Sequence, residues 1–129
     1  MRATNERFFF SKEIIVNSLI YNWHKVEQIS FAAMQSDQLI EITVADKRIV
    51  LVKRNNIIYA FTALCPHAGA RLCDGWLDVQ CRIVCPDHKY RFDPVNGRNT
   101  SGEGYKLFTY PVEIKVDEIF IGLLNTLTP

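Results

Sequence analysis

The chain of 129 residues has no long uninterrupted apolar run. Its first apolar stretch, Phe8-Phe9-Phe10 and then Ile14 to Tyr21, is broken by Lys12 and Glu13 and diluted by Asn17 and Ser18. A membrane-spanning helix needs about 20 apolar residues, so no membrane partner is expected. The same stretch makes a poor secretion signal: Arg2 and Arg7 are mixed with Glu6, and no small-x-small cleavage site follows a clean apolar segment. The expected location is cytoplasmic. An excess of charge of one sign is also missing. The formal net charge is +1, with no basic stripe or tail to neutralise phosphates, so nucleic acid is not expected as a partner. Repeats and low-complexity tracts are absent. Glycine, proline and cysteine are few, and most of them fall between residues 65 and 106.

What is present is ample apolar and aromatic content, which excludes wholesale disorder. The length fits one domain, and a domain of this size buries about two-thirds of its unfolded surface, enough to fold without disulfides. From about Trp23 onward the pattern is that of β-structure. Ile40, Ile42 and Val44 alternate with Glu41 and Thr43, and Ala45-Asp46 suits a hairpin turn into Ile49-Val50-Leu51-Val52. Asn55-Asn56 turns the chain into Ile57 to Phe61. Val112, Ile114 and Val116 alternate with Glu113, Lys115 and Asp117, and a turn near Asp117-Glu118 leads to Ile119, Ile121 and Leu123. Period-two spacing puts one face of each strand in the core. Short strands with frequent turns indicate an all-β fold, an antiparallel sandwich or barrel. Shorter strand signals are Trp76-Leu77 and Arg82-Ile83-Val84. Residues 1–22 fit the pattern poorly and are read as an N-terminal extension, a short helix or strand at the edge or an arm.

Chemistry-bearing residues gather in the middle. Cys65-Pro66-His67 is followed, after a gap of 17 residues, by Cys85-Pro86-Asp87-His88. Each pair offers one thiol and one imidazole on a turn that ends a strand. Any one of these residues alone is more often structural, but two such pairs, each with a proline after its cysteine, point to a metal site. Zinc with a Cys2His2 set is one reading; the wide gap and the Gly-rich flanks favour a cluster.

The ordered set Cys65-Pro-His-x-Gly69, Leu72, Gly75, Ile83, Cys85-Pro-x-His88, Phe92-Asp93 and Gly97, with Leu107 and Tyr110-Pro111-Val112 after it, resembles the Rieske family over roughly Trp23 to Leu124. The resemblance implies an antiparallel β-sandwich over residues 23–124 with a small cluster-binding subdomain at about 65–93. It implies one 2Fe–2S cluster per chain. Cys65 and Cys85 would hold one iron and His67 and His88 the other. Two thiolates neutralise the oxidised core where four would leave it anionic, so an added electron is accepted more easily than in all-cysteine ferredoxins.

The implied function is electron transfer as a ferredoxin for a reductase and an oxygenase or other acceptor, without a substrate site of its own. The alternatives are the small subunit of an assimilatory nitrite reductase, or a zinc-stabilised module without redox activity. Departures from the family pattern matter. Ala70 and Asp87 stand where high-potential members carry a disulfide, and Tyr90 and Phe92 stand where they carry a serine and a tyrosine. Phe92 has no hydroxyl to donate, so the low end of the Rieske range, about −150 mV, is expected. Lys89 replaces a nearly fixed glycine. Arg71, Lys89 and Arg91 are candidates for a basic ring that docks an acidic partner, with a solvated face as the alternative. Glu103, between Gly102 and Gly104 in the implied covering loop, reads as a solvated turn residue. Cys73 and Cys81 read as ordinary thiols, with a hairpin disulfide as the alternative.

Overall fold

In a computed structural model, residues 20–125 are described. Residues 1–19, most of the expected N-terminal extension, lie outside them. Ten strands follow in chain order: β1 Tyr21–Lys25, β2 Ile40–Val44, β3 Lys47–Arg54, β4 Ile57–Thr62, β5 Trp76–Leu77, β6 Ile83–Val84, β7 Arg91–Phe92, β8 Thr109–Tyr110, β9 Val112–Lys115 and β10 Glu118–Leu124. They form three antiparallel sheets, ordered β1-β10-β9, β2-β3-β4-β8 and β5-β6-β7. The fold is all-β.

The run Ile49-Val50-Leu51-Val52 is apolar throughout because β3 is covered on both faces. Ile49 and Leu51 face one core with Ile42, Val44, Ile58, Ala60, Ile119 and Ile121. Val50 and Val52 face a second core with Phe61, Leu72, Ile83, Cys85, Phe92 and Leu107. A strand buried on both sides loses its alternation. The first core joins the two larger sheets; the second seats the small sheet β5-β6-β7, and the loops between its strands, on the back of β3 and β4.

The turns follow local chemistry. Ala45 (φ 49) and Asp46 (φ 68), like Asn55 (φ 55) and Asn56 (φ 63), are paired left-handed residues, the geometry that matches strand twist in two-residue hairpins. Two expectations need correction. The last hairpin turns at Val116-Asp117, since Glu118 already pairs with Lys115. The alternation of Val112, Ile114 and Val116 also does not bury a full face. Val112 packs against the core, but Ile114 is partly exposed and Val116 fully so. β9 is an edge strand, and its far end runs past the core into the turn. The boundary placed before Trp23 falls inside β1, where Tyr21 pairs with Leu124 and Asn22 with Leu123.

Candidate functional site

Three loops with one wiring pattern project from the small subdomain. In Cys65–Ala70, the Cys65 N–H donates to Ala70 O (2.8 Å) and the Gly69 N–H to Cys65 O (2.8 Å). In Cys85–Tyr90, Cys85 donates to Tyr90 O (2.9 Å) and Lys89 to Cys85 O (3.2 Å). In Asp93–Arg98, Asp93 donates to Arg98 O (2.8 Å) and Gly97 to Asp93 O (2.7 Å). Proline stands second in each loop, where its fixed φ starts the turn and its missing N–H goes unused. The fifth residue is left-handed in each: Gly69 at φ 75, Lys89 at φ 60 and Gly97 at φ 77. Glycine takes that conformation freely and lysine does not. The Lys89 side chain reaches outward, with Nζ 5.8 Å from the Trp76 ring centre.

The first two loops bring Cys65, His67, Cys85 and His88 together as two pairs. Both thiols are buried. Burial pushes the Cys85 thiol up to about 11, and the neighbouring Cys65 thiol adds to this against a backbone N–H from Asp87. The two imidazoles meet edge to face, with Nδ1 of His67 and Nδ1 of His88 3.5 Å apart. The sulfur pair is rooted in the second core, while His67 is half-buried and His88 exposed. Among the described residues no three His, Cys, Asp or Glu side chains converge as the shell of one metal ion does. Two buried thiols and two Nδ1 atoms 3.5 Å apart would form a donor set for a 2Fe–2S cluster.

Other residues singled out in the sequence fall as follows. Phe92 is fully buried in the core that holds Cys65 and Cys85. Cys73 and Cys81 are free thiols; the Cys73 thiol faces Leu39 O at 3.7 Å. The expected basic ring is reduced to one member. Arg71 is engaged by Glu41 (3.4 Å) and Asp74 (3.9 Å), and Arg91 by Asp78 (3.2 Å). Lys89 alone of the three carries no carboxylate partner among the described residues. Sequence reasoning missed Tyr105, whose ring centre lies 5.4 Å from that of His67. It also missed the role of Tyr90, which stacks on His67 at 4.2 Å with an interplanar angle of 29°. No spacing rule marks either contact; each arises from loops that meet only in the folded chain.

The family model described as Rieske [2Fe-2S] domain matches residues 22–111. The ferredoxin component of a naphthalene 1,2-dioxygenase system from Pseudomonas aeruginosa is 31% identical over 99 residues, covering 76% of this chain and 94% of that protein. The ferredoxin of carbazole 1,9a-dioxygenase from Nocardioides aromaticivorans IC177 superposes with a TM-score of 0.71 at 25% identity, covering 76% of this chain and 96% of that one. A putative NADH-dependent nitrite reductase small subunit from Mycobacterium tuberculosis superposes with a TM-score of 0.74 at 15% identity, covering 83% and 99%, a likeness of fold alone.

Proposed function

Because the chain belongs to the Rieske [2Fe-2S] domain family, we propose that it is the ferredoxin of an oxygenase system, passing one electron at a time from a reductase to an oxygenase. The cluster is held by Cys65 and Cys85 on one iron and by His67 and His88 on the other. The observation that carries this reading is the pairing of the four side chains, Nδ1 facing Nδ1 at 3.5 Å and two neighbouring buried thiols. When bound, the cluster supplies a one-electron couple. The chain's own residues do the rest. Val50, Val52, Phe61 and Phe92 keep water from the sulfur side. The paired loops hold the imidazoles at the surface, where a partner can approach within electron-transfer range. The relatives named as ferredoxin components of dioxygenase systems support an oxygenase as acceptor.

A cytoplasmic location fits four cysteines free of disulfides. The chain acts as a carrier and converts no substrate of its own. The test is iron and sulfide content with the EPR spectrum of the reduced protein, on wild type and on His88→Ala and Cys85→Ala. Wild type binds two irons and two sulfides, and both variants lose the visible absorption. A colourless wild type that binds zinc, or a variant with an unchanged spectrum, sinks the ligand assignment.

A further inference from the structure

The two imidazoles at the tip have unlike surroundings. His88 is exposed, touches His67 edge to face, and lies 6.2 Å from Tyr90. His67 is half-buried, with Tyr90 stacked at 4.2 Å and Tyr105 at 5.4 Å, the two tyrosine rings being 5.8 Å apart. Tyr105 is carried by residues 98–106, a loop closed by pairing of Arg98 with Lys106. Asn99 organises the interior of that loop. Its Nδ2 donates to Arg91 O (3.2 Å), to Ser101 Oγ (3.2 Å) and to Glu103 Oε1 (2.9 Å), and its Oδ1 accepts from the N–H groups of Glu103 (2.5 Å) and Gly104 (3.2 Å). Ser101 Oγ accepts from the Arg91 N–H (3.0 Å) and donates to Glu103 Oε1. Glu103 is solvated, as its sequence position implies, yet it is not a free turn residue. Its carboxylate is anchored by Asn99 and Ser101 on the loop that carries Tyr105.

We infer that the loop of residues 98–106 lowers the potential of the centre: Tyr105, with Tyr90, shields the His67 flank from water, and Glu103 holds an anchored negative charge on the same loop, so that His88 is the open ligand and reduction is disfavoured. The inference rests on the ligand assignment proposed above. Its physics is that of a charge added to a low-dielectric site. The reduced centre carries one more negative charge than the oxidised one. Water would stabilise that charge, aromatic rings do so far less, and a neighbouring carboxylate opposes it. Both contributions act in one direction. The aromatic cover is the larger, because the exposed carboxylate is screened by solvent and salt.

The test is a redox titration of the cluster-loaded protein, followed by visible absorption and EPR, on Tyr105→Leu, Tyr105→Phe, Glu103→Gln and the Tyr105→Leu/Glu103→Gln double variant. Tyr105→Leu raises the potential by a tenfold change in the reduction equilibrium, 59 mV for one electron. Glu103→Gln raises it by less, the double variant by more than either, and Tyr105→Phe, which keeps the ring, leaves it in place. Diethyl pyrocarbonate, which acylates an accessible imidazole nitrogen, labels His88 ahead of His67 in wild type and both alike in Tyr105→Leu, as read by mass spectrometry. Potentials unmoved by both Glu103→Gln and Tyr105→Leu overturn the inference while a normal EPR spectrum leaves the cluster assignment standing. A wild type without a cluster overturns both. Glu103→Gln keeps an oxygen to accept from Asn99 and Ser101, so it decides the charge contribution even where Tyr105→Leu folds poorly.

Discussion

Nδ1 of His67 and Nδ1 of His88 lie 3.5 Å apart although 21 positions separate them in the chain. The two rings therefore present the same nitrogen to each other. A thiolate in place of either imidazole adds a negative charge to the oxidised centre, and all-cysteine clusters sit at lower potential. His88→Cys, assembled with iron and sulfide, is expected to fall in potential by at least a tenfold change in the reduction equilibrium, about 59 mV. Spectroelectrochemical titration checks this; a potential equal to or above that of wild type contradicts it.

The left-handed Lys89 offers a second test. Its loop has the wiring of the Gly69 loop, but its closing bond is longer, 3.2 Å against 2.8 Å, and its φ of 60 is unfavourable for a residue with a Cβ. That conformation costs about 1–2 kcal/mol, part of which glycine returns through its freer unfolded chain. Lys89→Gly is expected to stabilise the protein by about 0.5–1 kcal/mol, a rise of a few degrees in unfolding temperature. A lower unfolding temperature, measured with cluster loading held equal, would show that the cation over Trp76 contributes more than the strain.

Much of this fold is legible in the sequence, and the residues that are not illustrate why. Ile40, Ile42 and Val44 announce a strand because one face is wet and the other dry. Val112, Ile114 and Val116 carry the same alternation, yet only Val112 reaches the core. Alternation reports which way side chains point, not whether a neighbouring layer extends far enough to cover them. β7 and β8 are two residues each, too short for any period, and exist because their partners β6 and β4 are already in place. At the site, the motif marks four candidate donors and the structure brings them together in pairs. The rings around His67 come from Tyr90 in the second loop and Tyr105 in a later one, a juxtaposition that depends on Asn99 fixing the turn between. The basic ring expected from Arg71, Lys89 and Arg91 overlooked Glu41 and Asp78, which are distant in sequence and adjacent in space.

Asp78 ties the small subdomain together and makes its stability depend on pH. Its carboxylate accepts from the N–H groups of Gln80 (2.9 Å) and Arg82 (2.8 Å) and from Arg91 Nε (3.2 Å). Burial pushes its pKa up, but the two backbone bonds and the Arg91 guanidinium outweigh burial and hold it below the ordinary 3.8. A carboxyl with a depressed folded pKa contributes stability at pH above the unfolded value, and that contribution is lost as pH falls through the folded one. Asp78→Asn is therefore expected to cost about 1–3 kcal/mol near neutrality. The gap to wild type should narrow as pH drops below about 3.8. Urea unfolding of both proteins across pH reads it, and a gap that stays constant into acid would rule out the charge as its source.

Phe92 offers a test of where in the Rieske range the centre falls. It is fully buried in the core that holds Cys65 and Cys85, and its ring has no hydroxyl to donate to a cysteine sulfur. Hydrogen bonds to the sulfurs and net charge are the main levers on a cluster of fixed ligand type, and the reduced state, with its extra negative charge, gains most from each donor. A charge-assisted hydrogen bond is worth about 1.5–3 kcal/mol, or roughly 60–130 mV for a one-electron couple. Lys89 pulls the other way, but its exposed ammonium is screened and contributes less. The wild-type potential is expected below zero against the hydrogen electrode. Phe92→Tyr should raise it by roughly 60–130 mV, at a packing cost of about 1–3 kcal/mol for the added atom in a filled core. Protein-film voltammetry of the two proteins decides the matter. A wild-type potential well above about +100 mV, outside the low end of the Rieske range, would remove Phe92 as the cause and, with it, the expectation of a dioxygenase-type carrier.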